Sequence, residues 1–391
     1  MMAVKHKIST YIIWLKAILI FSLLSLVAGL CEQINRDENG FYHVKCSCVN
    51  PNEDLEITPE LSLGFLNTSS LEITRCRNVI MHSNLFRRAY ELHSIKVSEI
   101  DKLSLEPALS LPYSLQSLSL SKIGSLDHFP VPGPTSAVLH SVRSLETLSL
   151  EDITVTAPPM SSTSSFVDLP IAKIYMKNVK FSGALPAGAL KFNGASLIHF
   201  SAIKCHFSEM VEGSFDVHAS GNVTFDSCEF KAMEREAMKI YGECVSLINN
   251  VFDDLSGVHS ISIQGKLHVK VINNHFKTLR APHALQLNAN SNSFVYIQGN
   301  QLPCGCHAEN FIPAVSKAFS QTTCRGDDSF ACALEQKQVC LLPNGRNESI
   351  QIYRPGLPSC PDPEALPLSG FALRGQSLII CIIVVMIMRF V

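Results

Sequence analysis

The sequence is poor in charge, in aromatic side chains and in tryptophan. Of its 391 residues, 17% are charged, 8% are aromatic and one is tryptophan, and the formal net charge is −2. Proteins that bind nucleic acid carry a basic patch, and those that bind single strands also need aromatic stacking surfaces. We therefore expect no nucleic-acid partner. Because 46% of the residues are hydrophobic, the chain can still bury a large core and is not a disordered polymer.

The short motifs of common catalytic sites are also missing from the sequence. It contains no G-x-S-x-G, no P-loop and no G-x-G-x-x-G, and its fourteen histidines show no H-x-x-x-H spacing of the kind found in metal sites. We therefore expect no catalytic residue, no cofactor and no bound metal, and a small-molecule ligand is not indicated. The residue clusters that could hydrolyse a glycoside or bind a metal are better interpreted as structural features.

Two such groups occur in the sequence. Asp253, Asp254 and His259 resemble the paired carboxylates and histidine of polygalacturonases, but two carboxylates must share one face at a defined separation to hydrolyse a glycoside. We expect Asp253 and Asp254 to begin a turn instead. Cys304-Gly305-Cys306-His307 could hold a metal, although four more cysteines follow it. In a secreted chain, disulfides are the better interpretation of that segment.

Both termini have the features of targeting signals. Residues 1–29 combine two early lysines, an apolar stretch and the small residues Val27-Ala28-Gly29, which predicts a cleaved secretory signal peptide, with an N-terminal membrane anchor as the alternative. Residues 378–388 are purely apolar but fall short of the roughly 20 residues that a spanning helix needs. Residues 361–391 therefore predict a linker and GPI-anchor signal, with Ser369 or Gly370 as the attachment region. A short transmembrane tail is the alternative.

Cysteines and glycosylation sequons fit an oxidising, extracellular compartment. Apart from Cys381 in the C-terminal tail, most of the fourteen cysteines cluster on either side of the central region. We predict that these two clusters form disulfides: Cys31, Cys46, Cys48 and Cys76 before the centre, and Cys304, Cys306, Cys324, Cys332, Cys340 and Cys360 after it. Three N-x-S/T sequons begin at Asn67, Asn222 and Asn347.

One phrase recurs through the middle of the chain at a nearly fixed interval. Cys205, Cys228, Asn250, Asn274 and Asn300 each follow a short apolar stretch, and they are spaced 23, 22, 24 and 26 residues apart. A period in the twenties indicates a solenoid, in which each repeat is one coil that buries its apolar face only against its neighbours. The period persists upstream in the L-x-x-L-x-L phrases at 115–120 and 145–150.

The coils are predicted to consist of strands. Downstream coils carry two alternating apolar and polar runs each, such as 260–264 with 267–272, and this leaves no room for a helix. We therefore predict an all-β solenoid, either a parallel β-helix or a leucine-rich-repeat coil with a strand on its outer wall. The Pro-rich and Ser-rich segments 129–134 and 158–165 are predicted to leave the solenoid as excursion loops, which often mark a binding face.

The recurring Asn and Cys position has a physical explanation. Equivalent residues of stacked coils lie about 4.8 Å apart, so an inward Asn can bond to the backbone of the neighbouring coils. Cys205 and Cys228 would fill the same position as small buried residues, and a disulfide between coils is the alternative. Cys244 is a possible partner for either. Two residues further on, phenylalanines should stack as an apolar column: Phe207, Phe230, Phe252 and Phe276.

The ends of the central region resemble a known family. Cys46-Ser47-Cys48, with Cys31 and Cys76 around it, is similar to the N-terminal cysteine cap of extracellular leucine-rich-repeat proteins, and the segment 300–306 looks like the start of their C-terminal cap. The later coils look more like the Asn repeats of right-handed β-helices. The chain thus resembles an arthropod-type surface protein that blends both patterns, and the resemblance implies recognition rather than chemistry.

A further motif lies near the C-terminus. Arg325-Gly326-Asp327 follows Cys324 directly, and a tight disulfide-bonded loop could present this tripeptide to an integrin.

Together these features predict the domain organisation and the function. We predict a signal peptide at 1–29, an N-terminal cysteine cap at 30–76, solenoid repeats at 77–302, a C-terminal cysteine cap at 303–360 and the anchor segment at 361–391. The expected function is non-catalytic recognition or adhesion at the cell surface, with an extracellular or cell-surface protein bound along a strand face or the excursion loops. A carbohydrate-active β-helix enzyme, and a secreted structural component of the extracellular matrix, are the alternatives.

Overall fold

The computed structural model describes most of the chain between Cys31 and Pro303. The described residues are 31–58, 67–82, 85–106, 109, 111–127, 145–156, 171–193, 196–281, 283–289, 293–303, 339–341 and 347–349. The signal peptide, both excursion loops, the Arg-Gly-Asp tripeptide and the anchor segment lie outside them. So does nearly all of the C-terminal cap, of which only two short strands are described.

The described residues form twenty-three strands and no helix. Nothing among them could therefore cross a membrane as a long apolar helix. The strands are β1 (Cys31–Arg36), β2 (Tyr42–Ser47), β3 (Asp54–Ile57), β4 (Thr68–Met81), β5 (Ser94–Leu105), β6 (Ser117–Leu126), β7 (Leu145–Val155), β8 (Ile171–Leu185), β9 (Leu190–Asn193), β10 (His199–Ile203), β11 (His206–Met210), β12 (Phe215–His218), β13 (Asn222–Asp226), β14 (Glu229–Met233), β15 (Met238–Ile248), β16 (Val251–Leu255), β17 (Ile261–Ile272), β18 (His275–Phe276), β19 (Leu285–Ala289), β20 (Phe294–Gln298), β21 (Gln301–Pro303), β22 (Val339–Leu341) and β23 (Asn347–Ser349).

The strands stack in parallel from one coil to the next, which makes the protein a β-solenoid. Strand β10, for example, lies between β8 and β13, with Phe200 aligned with Ile174 on one side and Val223 on the other. The same alignment links β4, β5, β6, β7 and β8 in order. The predicted all-β solenoid is confirmed.

Three sheets form the walls of the solenoid. The first sheet contains 42–47, 70–74, 94–98, 117–121, 147–151, 173–177 and, downstream, β10, β13, 244–248, 268–272 and β20. The second sheet follows it in every coil and includes β3, β11, β14, β16 and β18. Among the described residues the third sheet occurs only in the downstream coils, in β9, β12, 238–242, 261–265 and β19.

Downstream coils therefore have three strands rather than the two predicted. The strand that the prediction missed is the one that carries the phenylalanines, such as β14 and β16. These strands lack a strict alternation of buried and outward residues, because two outward residues separate Phe230 from Met233 in β14 and Phe252 from Leu255 in β16, and a period of two is therefore not recognised in the sequence.

A sharp bend separates the first sheet from the second in each coil. Its corner residue has a positive φ, between 51° and 61° at the non-glycine positions, and Gly299 occupies the last corner with φ 68°. The corner residues are Arg75, Glu99, Lys122, Asp152, Asn178, Lys204, Ser227, Asn249, Asn273 and Gly299. The residue after each corner points inward, so these inward residues form one column along the solenoid, which we call the inner bend column.

The inner bend column changes its chemistry along the chain. Its members are Cys76, Ile100, Ile123, Ile153, Val179, Cys205, Cys228, Asn250, Asn274 and Asn300, all buried. The three asparagines form the predicted ladder. The amide nitrogen of Asn250 donates to Oδ1 of Asn274 at 2.9 Å, and Nδ2 of Asn274 donates to the carbonyl of Leu247 at 2.9 Å.

Beside this column runs the predicted stack of phenylalanine rings. The centroids of Phe207, Phe230, Phe252 and Phe276 are 4.8–4.9 Å apart in sequence order, with interplanar angles of 6–8°. Phe181 extends the stack by one coil at 5.3 Å. These rings are almost fully buried, so each stacked coil removes the aromatic face of its neighbour from water.

Two disulfides close the N-terminal end. Cys31 pairs with Cys46 between the antiparallel strands β1 and β2, and Cys48 pairs with Cys76 between the first coil and the second. Strand β2 already stacks in parallel on β4. The segment predicted as a cysteine cap therefore also supplies the first coil of the stack.

Candidate functional site

The candidate site is the outer surface of the first sheet. In each of its strands every second residue points out of the solenoid, while the residues between them are buried, as in β13 with Val223 and Phe225 inside and Asn222 and Thr224 outside. Because the strands are in register, outward residues of successive coils align into straight columns about 4.8 Å apart. The result is one continuous strand surface along the described coils.

The N-terminal half of this surface is rich in hydroxyl groups. Between 70 and 151, nine of the twelve positions in four coils that face away from the core are Ser or Thr: Ser70, Thr74, Ser94, Ser98, Ser117, Ser119, Ser121, Thr147 and Ser149. Of these, Thr74 and Ser98 are themselves buried. Neighbouring hydroxyls contact one another in places, since Oγ of Ser98 donates to Oγ1 of Thr74 at 3.4 Å. In the chain, the two segments predicted as excursion loops fall between β6 and β7 and between β7 and β8, outside the described residues.

The C-terminal half is aromatic and aliphatic. Across 244–248, 268–272 and β20, Lys270 is the single outward residue of the described surface with a formal charge. Phe294 is 44% exposed and stacks on His268 at a centroid distance of 5.3 Å. Ile248 and Ile272 lie half-buried in the next outward column. We call Ile248, His268, Ile272, Phe294 and Tyr296 the apolar patch.

Asn222 lies between the two halves. Its side chain is exposed in the outward column, in register with His199 and Cys244, and Thr224 of the same sequon points outward beside it. A glycan at Asn222 would therefore stand on the surface of the first sheet and separate the hydroxyl-rich half from the apolar patch. Asn67 is also exposed, whereas the side chain of Asn347 lies outside the described residues.

The outer surface of the second sheet is different, because its charges are already paired. Lys231 bridges Glu229 and Asp253, and Asp253 is also 2.7 Å from Nζ of Lys277. Burial acts to raise the pKa of the Asp253 carboxyl, but these two lysines outweigh it and hold the pKa below its usual range. A surface neutralised in this way offers little to a charged partner.

These contacts also correct one prediction. Asp253 and Asp254 do not begin a turn but lie within strand β16, where their neighbours in adjacent coils are basic. Asp254 is 3.0 Å from Nε of Arg280. Sequence alone suggested a turn because two adjacent Asp residues are unusual in a strand, and the compensating lysines and arginine are more than twenty residues away.

The structure also places the three cysteines of the central region, whose pairing the sequence left open. Cys205 and Cys228 are free and buried in the inner bend column, and their thiols donate to backbone carbonyls such as Ala202 at 3.3 Å from Cys228. They fill the ladder, as expected. Cys244 points outward on the first sheet. It cannot be their partner in the folded solenoid, because the sheet lies between them.

One titratable group spans three coils near the N-terminal end. Nδ1 of His82 is 2.7 Å from Oε1 of Glu106, and its Nε2 is 2.6 Å from Oε1 of Glu56. Hydrogen bonds to Glu106 and then to Glu56 raise the pKa of His82, because both ring nitrogens donate to carboxylates in the protonated form. No group of three or more His, Cys, Asp or Glu side chains in the described part of the chain is arranged to bind a metal ion.

Sequence reasoning missed the His82 cluster and the upstream part of the inner bend column. The column does have a sequence signal, because at each bend a polar corner residue is followed directly by an aliphatic one. The examples are Lys122-Ile123, Asp152-Ile153 and Asn178-Val179. The apolar patch has a weaker sequence signal, because only the register of the stack fixes which residues of an apolar run face outward.

Comparisons with known proteins place no constraint on the site. No protein-family model, no curated protein and no solved structure matches the chain.

Proposed function

We propose that the chain is a non-catalytic recognition protein of the cell surface that binds an extracellular protein partner through the outer surface of the first sheet. The observation that carries this proposal is the contrast between two outer surfaces of the same solenoid. The second sheet presents ion pairs that neutralise one another, while the first sheet ends in the nearly uncharged apolar patch. Interface centres are depleted of charge and enriched in aromatic residues, as this patch is.

The compartment is part of the same proposal. Two disulfides and an exposed sequon on a strand surface support an extracellular chain, because disulfides persist in oxidising compartments. The cysteine-rich N-terminal end and the buried L-x-x-L-x-L leucines support a chain of the extracellular leucine-rich-repeat type with β-helix-like later coils. A GPI anchor near Ser369 or Gly370 would hold it on the outer leaflet, and Arg325-Gly326-Asp327 would be a separate contact for an integrin.

The binding surface can be tested by placing an extra glycan on one sheet at a time. Ser246→Asn with Ile248→Thr creates a sequon whose Asn and Thr both point outward on the first sheet, within the apolar patch, of which Ile248 is a member. Ser262→Asn with Gln264→Thr creates the matched sequon on the third sheet of the same coil. The probe is the secreted wild-type chain, labelled and multimerised, on a panel of cells that express single surface proteins.

We expect the wild-type chain to bind at least one surface protein. The first-sheet glycan should weaken that binding at least tenfold, and the third-sheet glycan should leave it unchanged. Equal binding by both variants would show that the first sheet is not the contact surface. Absence of any binding by the wild-type chain would contradict the recognition function itself.

The anchor is tested separately. Cells displaying a tagged chain are treated with a phospholipase specific for phosphatidylinositol. We expect release into the medium. Retention on the cell would contradict the GPI anchor in favour of a transmembrane tail, and protein found only in the medium before treatment would favour the matrix role.

A further inference from the structure

One disulfide already joins neighbouring coils at the bend between the first sheet and the second. Cys76, the first member of the inner bend column, is bonded to Cys48 of the preceding coil, with their Cα atoms 5.2 Å apart. Disulfides require Cα separations of roughly 4.4–6.8 Å, and residues in register on adjacent parallel strands are about 4.8 Å apart. The geometry of this column therefore suits a disulfide wherever two consecutive members are cysteines.

Cys205 and Cys228 are such a pair. The residues on either side of them are in register, Ile203 with Asp226 before the bend and His206 with Glu229 after it. Both side chains are 1% exposed, and they interact directly across the boundary between their coils. In the structure both are free thiols.

The two thiols are not equivalent. A hydrogen bond from Cys228 lowers the pKa of the Cys205 thiol, so Cys205 is the more readily deprotonated of the two. Burial and the same contact raise the pKa of the Cys228 thiol well above its ordinary value. Both shifts belong to the closed stack, where the sulfurs are buried in direct contact; thiol–disulfide exchange itself proceeds in two steps, through a mixed disulfide.

We propose that Cys205 and Cys228 form a further disulfide, across two neighbouring coils in the middle of the solenoid, when the folding chain meets a disulfide donor of the glutathione class. The thiolate of one of the two cysteines attacks oxidised glutathione and releases one glutathione thiolate. The other thiol, after losing its proton to solvent, then attacks the protein sulfur of this mixed disulfide and releases the second glutathione thiolate. Two protein thiols are oxidised and one glutathione disulfide is reduced. Because the mature coils bury both sulfurs, the exchange takes place before the stack closes.

The test uses the full chain secreted from eukaryotic cells. The protein is denatured with iodoacetamide and without reductant, its N-glycans are removed enzymatically, and it is digested with trypsin. Cleavage after Lys204 and Lys231 leaves both cysteines in one peptide, and Glu209 and Glu212 lie between them as sites for a second protease. Cys244 lies in another tryptic peptide and is the internal control for complete labelling.

We expect the peptide 205–231 to be unlabelled and two hydrogens lighter than the dithiol, with its halves still linked after the second digestion. Cys244 should be fully labelled. Two labels on the peptide, or a link from either cysteine to Cys244, would overturn the proposal. In the variant Cys205→Ser, Cys228 should become labelled. The wild-type measurement decides the matter even if that variant does not fold.

Discussion

The asparagine ladder makes a quantitative prediction about stability. Replacing Asn274 with Ala removes the side chain in the middle of the ladder, where it is fully buried. The amide nitrogen of Asn250 then loses its acceptor, and the carbonyl of Leu247 loses its side-chain donor. The other two partners are less affected, because Nδ2 of Asn250 still donates to Phe225 and Oδ1 of Asn300 still accepts from the amide nitrogen of residue 274.

The magnitude follows from these groups. A buried donor left without a partner costs about 1–3 kcal/mol, and the loss of one hydrogen bond to a carbonyl that keeps other options costs about 1 kcal/mol. The small void left by the side chain adds to this total. We therefore expect Asn274→Ala to lower the free energy of unfolding by about 2–5 kcal/mol.

The matched control is Asn273→Ala, one residue earlier in the chain. Asn273 is exposed at the corner with φ 55°, so its replacement costs only the left-handed preference of Asn over Ala, about 1 kcal/mol. Both variants are measured by urea unfolding with circular dichroism, together with hydrogen exchange of the Asn250 amide. That amide should exchange faster in Asn274→Ala alone. Equal unfolding midpoints for the two variants would refute the ladder as a source of stability.

Three further outcomes are expected. Phe230→Ala, which interrupts the ring stack at a fully buried position, should cost about 3–5 kcal/mol in urea unfolding, whereas Phe230→Leu should cost clearly less. Gly257→Ala should destabilise the protein by about 1–3 kcal/mol, because a Cβ there would lie 2.0 Å from the backbone nitrogen of Arg235; a midpoint equal to wild type would show that the turn can move. The pKa of His82 is raised in the folded state, so its contribution to stability is fully present below its ordinary value of 6.5 and is lost as pH rises through the folded pKa. Unfolding midpoints should therefore fall over that range in wild type but not in His82→Gln, and parallel pH profiles would contradict this assignment.

Much of the fold was predictable because a stacked solenoid repeats its sequence signals. The interval between Cys228, Asn250 and Asn274 gave the period, and the same interval placed their side chains and the following phenylalanines in columns, both of which the structure confirms. The number of strands in each coil was harder to predict from the sequence. Short strands such as β14 are defined by their alignment with the next coil rather than by their own alternation.

The candidate surface was harder to predict than the fold. Ile248 and Ile272 look like core residues in the sequence, and only the position of the bend shows that they point outward. The Asp253 and Asp254 prediction failed for a related reason, since the partners that make two acidic residues acceptable in a strand come from other coils. Interactions between coils are specified by register, and a single mis-assigned residue reverses which side chains face out.

The changing composition of the inner bend column has a mechanical consequence. Each coil touches only its two neighbours, so the stack behaves as a chain of linked units whose weakest boundary opens first. The first boundary is held by a covalent bond and the last three by amide ladders, whereas Ile100, Ile123 and Ile153 contribute only dispersion and burial. Under tension, or during slow hydrogen exchange, the coils between 94 and 155 should therefore separate first. The described part of the solenoid would then yield in its interior, between the coils joined by the Cys48–Cys76 disulfide and the coils of the asparagine ladder.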